Sequence, residues 1–261
     1  MRYFLFRLRL QQLVLASAVL GILLLAVPTV AFGQATAPKS RVYISVNGGY
    51  QINAASSVSA SATAAENAET RRTNATYTLK NGLSFDVAGG ALVWRQLGVG
   101  VGVTRFSQTT SATVNVSSPH PFFFSTPRTA SGEVAGLTRE ELAFHIQVRG
   151  VFPVNDRLQV TVFGGPSFFQ VKQAVINTVN LVEAYPYDDV SWNGVNQLSA
   201  SQSTMGFNGG VDVAVFFTDN IGVGGAFQFS RAMVDLPVLG GITQSVQAGG
   251  VQAGGGLRLR F

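Results

Sequence analysis

The feature that most restricts this chain is the alternation over residues 251–261. Phe261, Leu259, Leu257, Gly255, Ala253 and Val251 share one parity; Arg260, Arg258, Gly256, Gly254 and Gln252 share the other. One face is apolar and the other polar or bare, the period-2 pattern of a strand lying between two different solvents. A tilted strand needs about 9–11 residues to cross a bilayer, and this stretch has that length. It reads as the closing strand of a membrane barrel, with Phe261 at the membrane–water interface.

Composition agrees. Only 12% of residues are charged, 46% are hydrophobic, and 29 are Gly, a residue that weakens helices. No apolar run of helix length occurs beyond residue 30, so the apolar content must sit in strands. The formal net charge of +5 is inflated by Arg2, Arg7 and Arg9; the rest of the chain has 15 bases against 13 acids. That balance excludes the clustered basic face of a nucleic-acid binder. Cysteine is absent, which excludes disulfides, Cys-ligated zinc and thiol catalysis.

Residues 1–35 carry a basic start, an apolar run from Leu13 to Val30 and the small-residue site Gly33-Gln34-Ala35. They read as a signal peptide cleaved after Ala35, the rival being an uncleaved anchor. Residues 36–261 then form one exported domain.

Seven further segments share the grammar of the last. Val42, Ile44, Val46, Tyr50 and Ile52 alternate with Tyr43, Ser45, Asn47 and Gln51; Leu83, Phe85, Val87 and Val93 with Ser84, Asp86 and Ala88. Leu97, Val99, Val101 and Val103 oppose Gly98, Gly100 and Gly102, a Gly-x-Gly run that opens no helix and so is no phosphate loop. Segments starting near 142, 158, 205 and 221 follow. Short turns near 94–96, 153–157 and 218–220 alternate with polar stretches at 54–76, 108–136, 173–203 and 235–245, which read as long loops. The fold expected is all-β, an eight-stranded antiparallel up-and-down transmembrane barrel. Short turns lie on the periplasmic side and long loops outside. The first strand must pair with the last, because an open edge in hydrocarbon leaves backbone groups unsatisfied. A soluble β-sandwich, the rival, would carry charged outer faces that these strands lack.

Arg105 and Arg231 fall on the lipid parity but at the loop ends of their strands, where the cost of an Arg falls from about 2–4 to roughly 0–1 kcal/mol. They suit water or lipopolysaccharide phosphates. Inward parity places Asp86, Arg149, Asp212, Arg258 and Arg260 in the lumen. An unpaired buried charge is costly, so an ion-pair network of Asp212 with Arg149, Arg258 and Asp86 is one expectation and a partly hydrated interior the other.

Little catalytic chemistry is on offer. His145 points inward and His120 has no acid near it in sequence; each reads as structural or solvated. Two His without Cys leave no metal site, and no cofactor is expected. Glu140-Glu141 and Asp188-Asp189 read as solvated acids at loop edges. Phe122, Phe123, Phe124, Tyr185, Tyr187 and Trp192 stand outside the membrane segments. They serve either as a contact surface or as packing between strands that extend beyond the bilayer.

The eight segments, the Gly-Gly steps (Gly48-Gly49, Gly89-Gly90, Gly164-Gly165, Gly209-Gly210), Phe163-Gly-Gly-Pro-Ser-Phe168 and the ending Leu257-Arg-Leu259-Arg-Phe261 carry a resemblance. The chain resembles the small outer-membrane β-barrel family that includes the OmpA transmembrane domain, OmpX and OmpW-like proteins, over nearly all of 36–261. The resemblance implies an outer-membrane location and a monomer among lipid and lipopolysaccharide. It also implies handling by the barrel-assembly machinery through Phe261, Leu259 and Leu257. It leaves the activity open: a non-enzymatic barrel displaying loops for adhesion or ligand contact, a narrow channel for small or apolar solutes, or, least supported, a lipid-modifying enzyme.

Overall fold

A computed structural model describes residues 40–53 and 55–261; the signal peptide and its cleavage site lie outside them. Ten strands fill the described residues: β1 (Val42–Asn53), β2 (Ser57–Glu66), β3 (Glu69–Thr78), β4 (Gly82–Trp94), β5 (Leu97–Ser118), β6 (Arg128–Pro153), β7 (Leu158–Glu183), β8 (Val190–Phe216), β9 (Ile221–Val238) and β10 (Ile242–Arg260). The sheet runs β2-β3-β5-β4-β1-β10-β9-β8-β7-β6, and a further pairing of β5 with β6 closes it. Eight strands therefore make the ring and the β2–β3 hairpin hangs from it. The first strand closes on the last, as expected: β1 lies antiparallel to β10, with Val46 opposite Leu257 and Tyr43 opposite Arg260.

Within the lower half of the ring the parity follows the alternation. Val42, Ile44 and Val46 are exposed while Tyr43, Ser45 and Asn47 are buried; Val99 and Val101 are exposed while Gly98 and Gly100 are buried. An apolar belt thus faces outward and a polar filling faces inward.

The four stretches read as loops are instead mostly strand, and this corrects the sequence reading. Residues 54–76 hold β2 and most of β3; the other three are strand extensions closed by short turns. β5 to β8 run 22 to 27 residues, at least twice the about 9–11 that cross a bilayer. Parity continues through the extensions but polarity reverses. On β5 the outward side chains change from Val101 and Val103 to Arg105, Ser107, Thr109, Thr113 and Asn115. The inward ones change from Gly100 and Thr104 to Phe106, Ala112, Val114 and Val116. Above the belt the barrel is therefore an ordinary water-soluble β-structure with a dry interior. Its core gathers Ala75, Tyr77, Val114, Leu137, Val171, Val175, Ile176, Val234 and Leu236.

Two contacts lock this head. The hairpin between β9 and β10 turns inward, so that the Leu239 N–H donates to the Ile176 carbonyl at 2.8 Å. The Tyr77 hydroxyl accepts from the Ile176 N–H at 3.0 Å, tying the β2–β3 hairpin to β7. Burial pushes the Tyr77 phenol above its ordinary range, while the bond from Ile176 acts the other way.

Candidate functional site

The lumen is filled in tiers. At the short-turn end Arg260 lies over the Phe216 ring, 3.8 Å from its centre, and donates to the Asp219 carbonyl at 2.7 Å and the Asp156 carbonyl at 3.1 Å. The next tier pairs Arg258 with Asp212. The guanidinium Nε reaches both carboxylate oxygens at 3.1 and 2.9 Å, and Nη2 closes the pair on Oδ2. The two residues stand on β10 and β8, and Arg258 crosses β9 beside Gly224. A Cβ at Gly224 would lie 3.0 Å from the Arg258 Nε. Gly100 likewise makes room for Arg149, which would come within 2.8 Å of a Cβ there. The inward glycines are the floor on which arginine side chains cross from strand to strand.

Of the four lumen charges expected to form one network, the structure brings two into direct contact. Arg149 donates to Gln147 Oε1 at 3.2 and 2.9 Å and stacks on Phe163. Asp86 accepts from Asn47 at 3.0 Å and from Thr104 at 3.1 Å. Both line one cavity with Asp212 and Arg258, of about 40 Å³. A water needs about 10–15 Å³ measured this way, so the space admits a few waters and no larger solute.

His145 sits in the tier above. Its Nδ1 is 2.8 Å from Ser167 Oγ and its Nε2 is 3.0 Å from Thr104 Oγ1 and 3.3 Å from Gln228 Nε2. A Ser beside a His, with Asp86 one hydroxyl away, has the parts of a relay. Ser167 is fully buried, however, and no substrate can approach its oxygen; the contacts hold the ring in place.

Asn208 performs a repair at this level. The β6–β7 ladder skips Ile146 and Gln147, opposite Pro166 and Gly165, because Pro166 has no N–H to give. The Asn208 amide donates to the Gly165 carbonyl at 3.0 Å and to Ser167 Oγ at 2.9 Å, and accepts from Gln147 at 2.9 Å. Asn208→Ala strands these partners and is expected to cost about 1–3 kcal/mol. The check is the urea midpoint of the barrel refolded in lipid vesicles, and an unchanged midpoint would contradict the repair.

The topmost polar tier escaped sequence reasoning. Arg139 donates to Glu141, Gln173 and the Gln247 carbonyl, each at 2.8 Å. Glu141 Oε2 accepts from the Gly249 N–H at 2.9 Å. Glu141 is thus an inward ion-pair partner and corrects its reading as a solvated acid; Glu140 does face out, 3.7 Å from Arg105. The available signal was parity, since Arg139 and Glu141 lie two apart on the inward face of β6. Arg231 is exposed. Leu257 and Phe261 are exposed and Leu259 is half-buried, and the Phe261 N–H donates to the Val42 carbonyl at 3.0 Å.

At the far end three hairpin tips meet. His120 Nδ1 accepts from the N–H groups of Phe122 and Phe123 at 3.1 and 3.2 Å. Arg128, buried, donates to the Pro119 carbonyl at 2.7 Å, the Tyr187 carbonyl at 3.0 Å and Glu183 at 2.7 Å. Ser118 donates to Glu66 at 2.7 Å and the Ser125 N–H to Glu69 at 3.0 Å. The fold brings an acid near His120, with Asp188 Oδ1 3.7 Å from Nε2, beyond hydrogen-bond distance. Phe122 packs edge-on against Tyr187 at 5.6 Å, and Tyr185 against Tyr187 at 6.2 Å. Trp192 departs from this group: it lies on Gly132 and against the apolar core.

Three solved structures can be set beside this geometry. The chain aligns with OprG of Pseudomonas aeruginosa at TM-score 0.46 and 12% identity, covering 86% of this chain and 98% of that one. Neisserial surface protein A gives 0.43 and 11%, over 84% and 97%. Ail of Yersinia pestis, solved with the heparin analogue sucrose octasulfate, gives 0.37 and 13%, over 84% and 99%. No family model matches the chain, and no curated protein does.

Proposed function

We propose that this is an integral outer-membrane protein whose barrel is a closed anchor and whose tall head displays a surface outward. The observation that carries it is the reversal of polarity along single unbroken strands. A strand that is apolar outside for one stretch and apolar inside for the next is built for hydrocarbon first and water second. Arg105, Lys172 and Arg231 stand exposed at that transition, where lipid phosphates, lipopolysaccharide included, would meet them. The protein works as a monomer, is delivered by the barrel-assembly machinery, and carries out no catalysis.

The rival reading is a narrow channel. Conduction would need a wetted path, and the lumen holds Arg260, the Arg258–Asp212 pair and the Arg139–Glu141 pair in series beneath a dry core. Purified barrel in planar bilayers is therefore expected to give no discrete conductance steps. Reproducible steps from correctly folded protein would favour the channel.

A further inference from the structure

We infer that the outer tip is a lipid-inserting surface, made to dock on a second, uncharged phospholipid bilayer facing the cell. The inference rests on the outward display proposed above and names its partner.

The tip combines four properties. Its apolar rings are presented to solvent: Phe122, Phe123, Phe124 and Tyr185 are 66%, 61%, 74% and 86% exposed. Scattered exposed apolar residues need no explanation, but three consecutive Phe side chains beside a Tyr form a patch. The patch also stands far from the protein's own membrane. From Arg105 at the top of the belt, β5 runs on to Ser118, which at about 3.3 Å per residue reaches roughly 40 Å along the strand.

The turn is held rigid. Its base is the buried Arg128 with its three acceptors, and Glu69 and Glu66 of the neighbouring hairpin clasp it from the side. These bonds hold the backbone of the turn in the shape that presents the rings outward.

The choice of lipid over a protein partner comes from the missing charge on the turn and from a backbone that meets part of its own hydrogen-bonding need. Hydrocarbon supplies no hydrogen bonds, so a loop entering it must satisfy its own N–H and C=O groups. The N–H groups of Phe122 and Phe123 are taken by His120 Nδ1 and that of Ser125 by Glu69, and the Phe124 carbonyl accepts from Thr126 Oγ1 at 3.3 Å. In water these groups would be served equally well by solvent. Residues 119–127 contain no Asp, Glu, Lys or Arg, as insertion requires. Tyr185 and Tyr187 flank the Phe rings, and tyrosine suits headgroup depth because its ring is apolar and its hydroxyl wet. The exposed charges around the turn are Asp188, Asp189 and Glu183 on one side and Arg72, beside Pro119 and Ser125, on the other; acids outnumber bases, which opposes an anionic surface and selects a zwitterionic one.

The test uses the full chain in phosphatidylcholine nanodiscs, so that its own belt is covered, mixed with phosphatidylcholine vesicles and floated on a density gradient. Wild type is expected to float with the vesicles, and F122S/F123S/F124S to lose at least tenfold of that co-flotation. The variant's heat-modifiable gel mobility verifies that the barrel has folded. F123W should add a fluorescence component that shifts to the blue with vesicles and is quenched by brominated lipid. Adding phosphatidylglycerol should weaken flotation. Equal flotation of wild type and the triple variant, an unquenched F123W signal, or stronger binding to anionic vesicles would overturn the inference. So would capture of a soluble protein or glycan by a wild-type tip that ignores vesicles. The chain has no cysteine, so S125C labelled on intact cells by an impermeant maleimide tests display separately. An unlabelled S125C sinks the display reading; a labelled S125C whose wild-type parent does not float sinks the lipid inference alone.

Discussion

Glu141→Ala is expected to lower the stability of the barrel by about 3–5 kcal/mol, the usual cost of removing one partner from a buried ion pair. The Arg139 and Glu141 side chains are 1% and 3% exposed, so the stranded guanidinium has no route to water. Gln173 and the Gln247 carbonyl would still accept from it, but neither carries charge. The Gly249 N–H would lose its acceptor as well. That second loss falls at a left-handed backbone position, φ 81°, which glycine alone adopts readily. The pair therefore fixes the shape of β10 where the polar filling gives way to the dry core. Replacing both partners, R139M with E141L, should recover much of the loss, because a buried pair is worth little against apolar groups of similar volume. Equilibrium urea unfolding in lipid vesicles reads both variants. A loss below about 1 kcal/mol for Glu141→Ala would mean that water reaches this tier.

The belt could be read from the sequence residue by residue, and the head could not. Both use the same period, but alternation reveals a membrane strand only while the outward set is apolar. On β5 the outward set turns to Arg105, Ser107, Thr109 and Thr113, and the inward set becomes apolar only from Phe106 onward, with Gln108 and Thr110 interposed. A bulge between Thr110 and Ala112 against β6 blurs the register further. Stretches rich in Ser, Thr and Asn then look like loop by composition, as β2 and β3 did, although their alternation persists in Ala60, Ala75 and Tyr77. The lumen was legible to the same degree. Parity placed Asp212 and Arg258 on the inward face, and the reach of an Arg across one strand is long enough to join them. Parity alone could not say that Arg149 would settle on Gln147 and Phe163, because the choice depends on which neighbouring strand offers a glycine. Meetings between distant tips, such as Arg128 with Glu183 or His120 with Asp188, leave no local pattern at all.

The polarity reversal makes a second prediction, one that separates two positions on a single strand. Val101 and Thr113 both point outward from β5, and both are exposed. Val101 lies in the middle of the apolar run between Leu97 and Arg105, with Gly89 and Ile146 opposite it. An arginine there has only hydrocarbon around it and should cost about 2–4 kcal/mol. Thr113 lies above the transition, between Thr76 and Glu133. An arginine there faces water and an opposite charge, where exposed cross-strand pairs contribute about 0.2–1 kcal/mol in favour. Val101→Arg should therefore refold poorly into vesicles and lower the urea midpoint, while Thr113→Arg leaves it unchanged or slightly raised. A soluble sandwich would treat the two sites alike, since an exposed arginine on either would merely be hydrated. Equal, small effects would remove the membrane from the belt, and with it the reason for eight strands to close on one another.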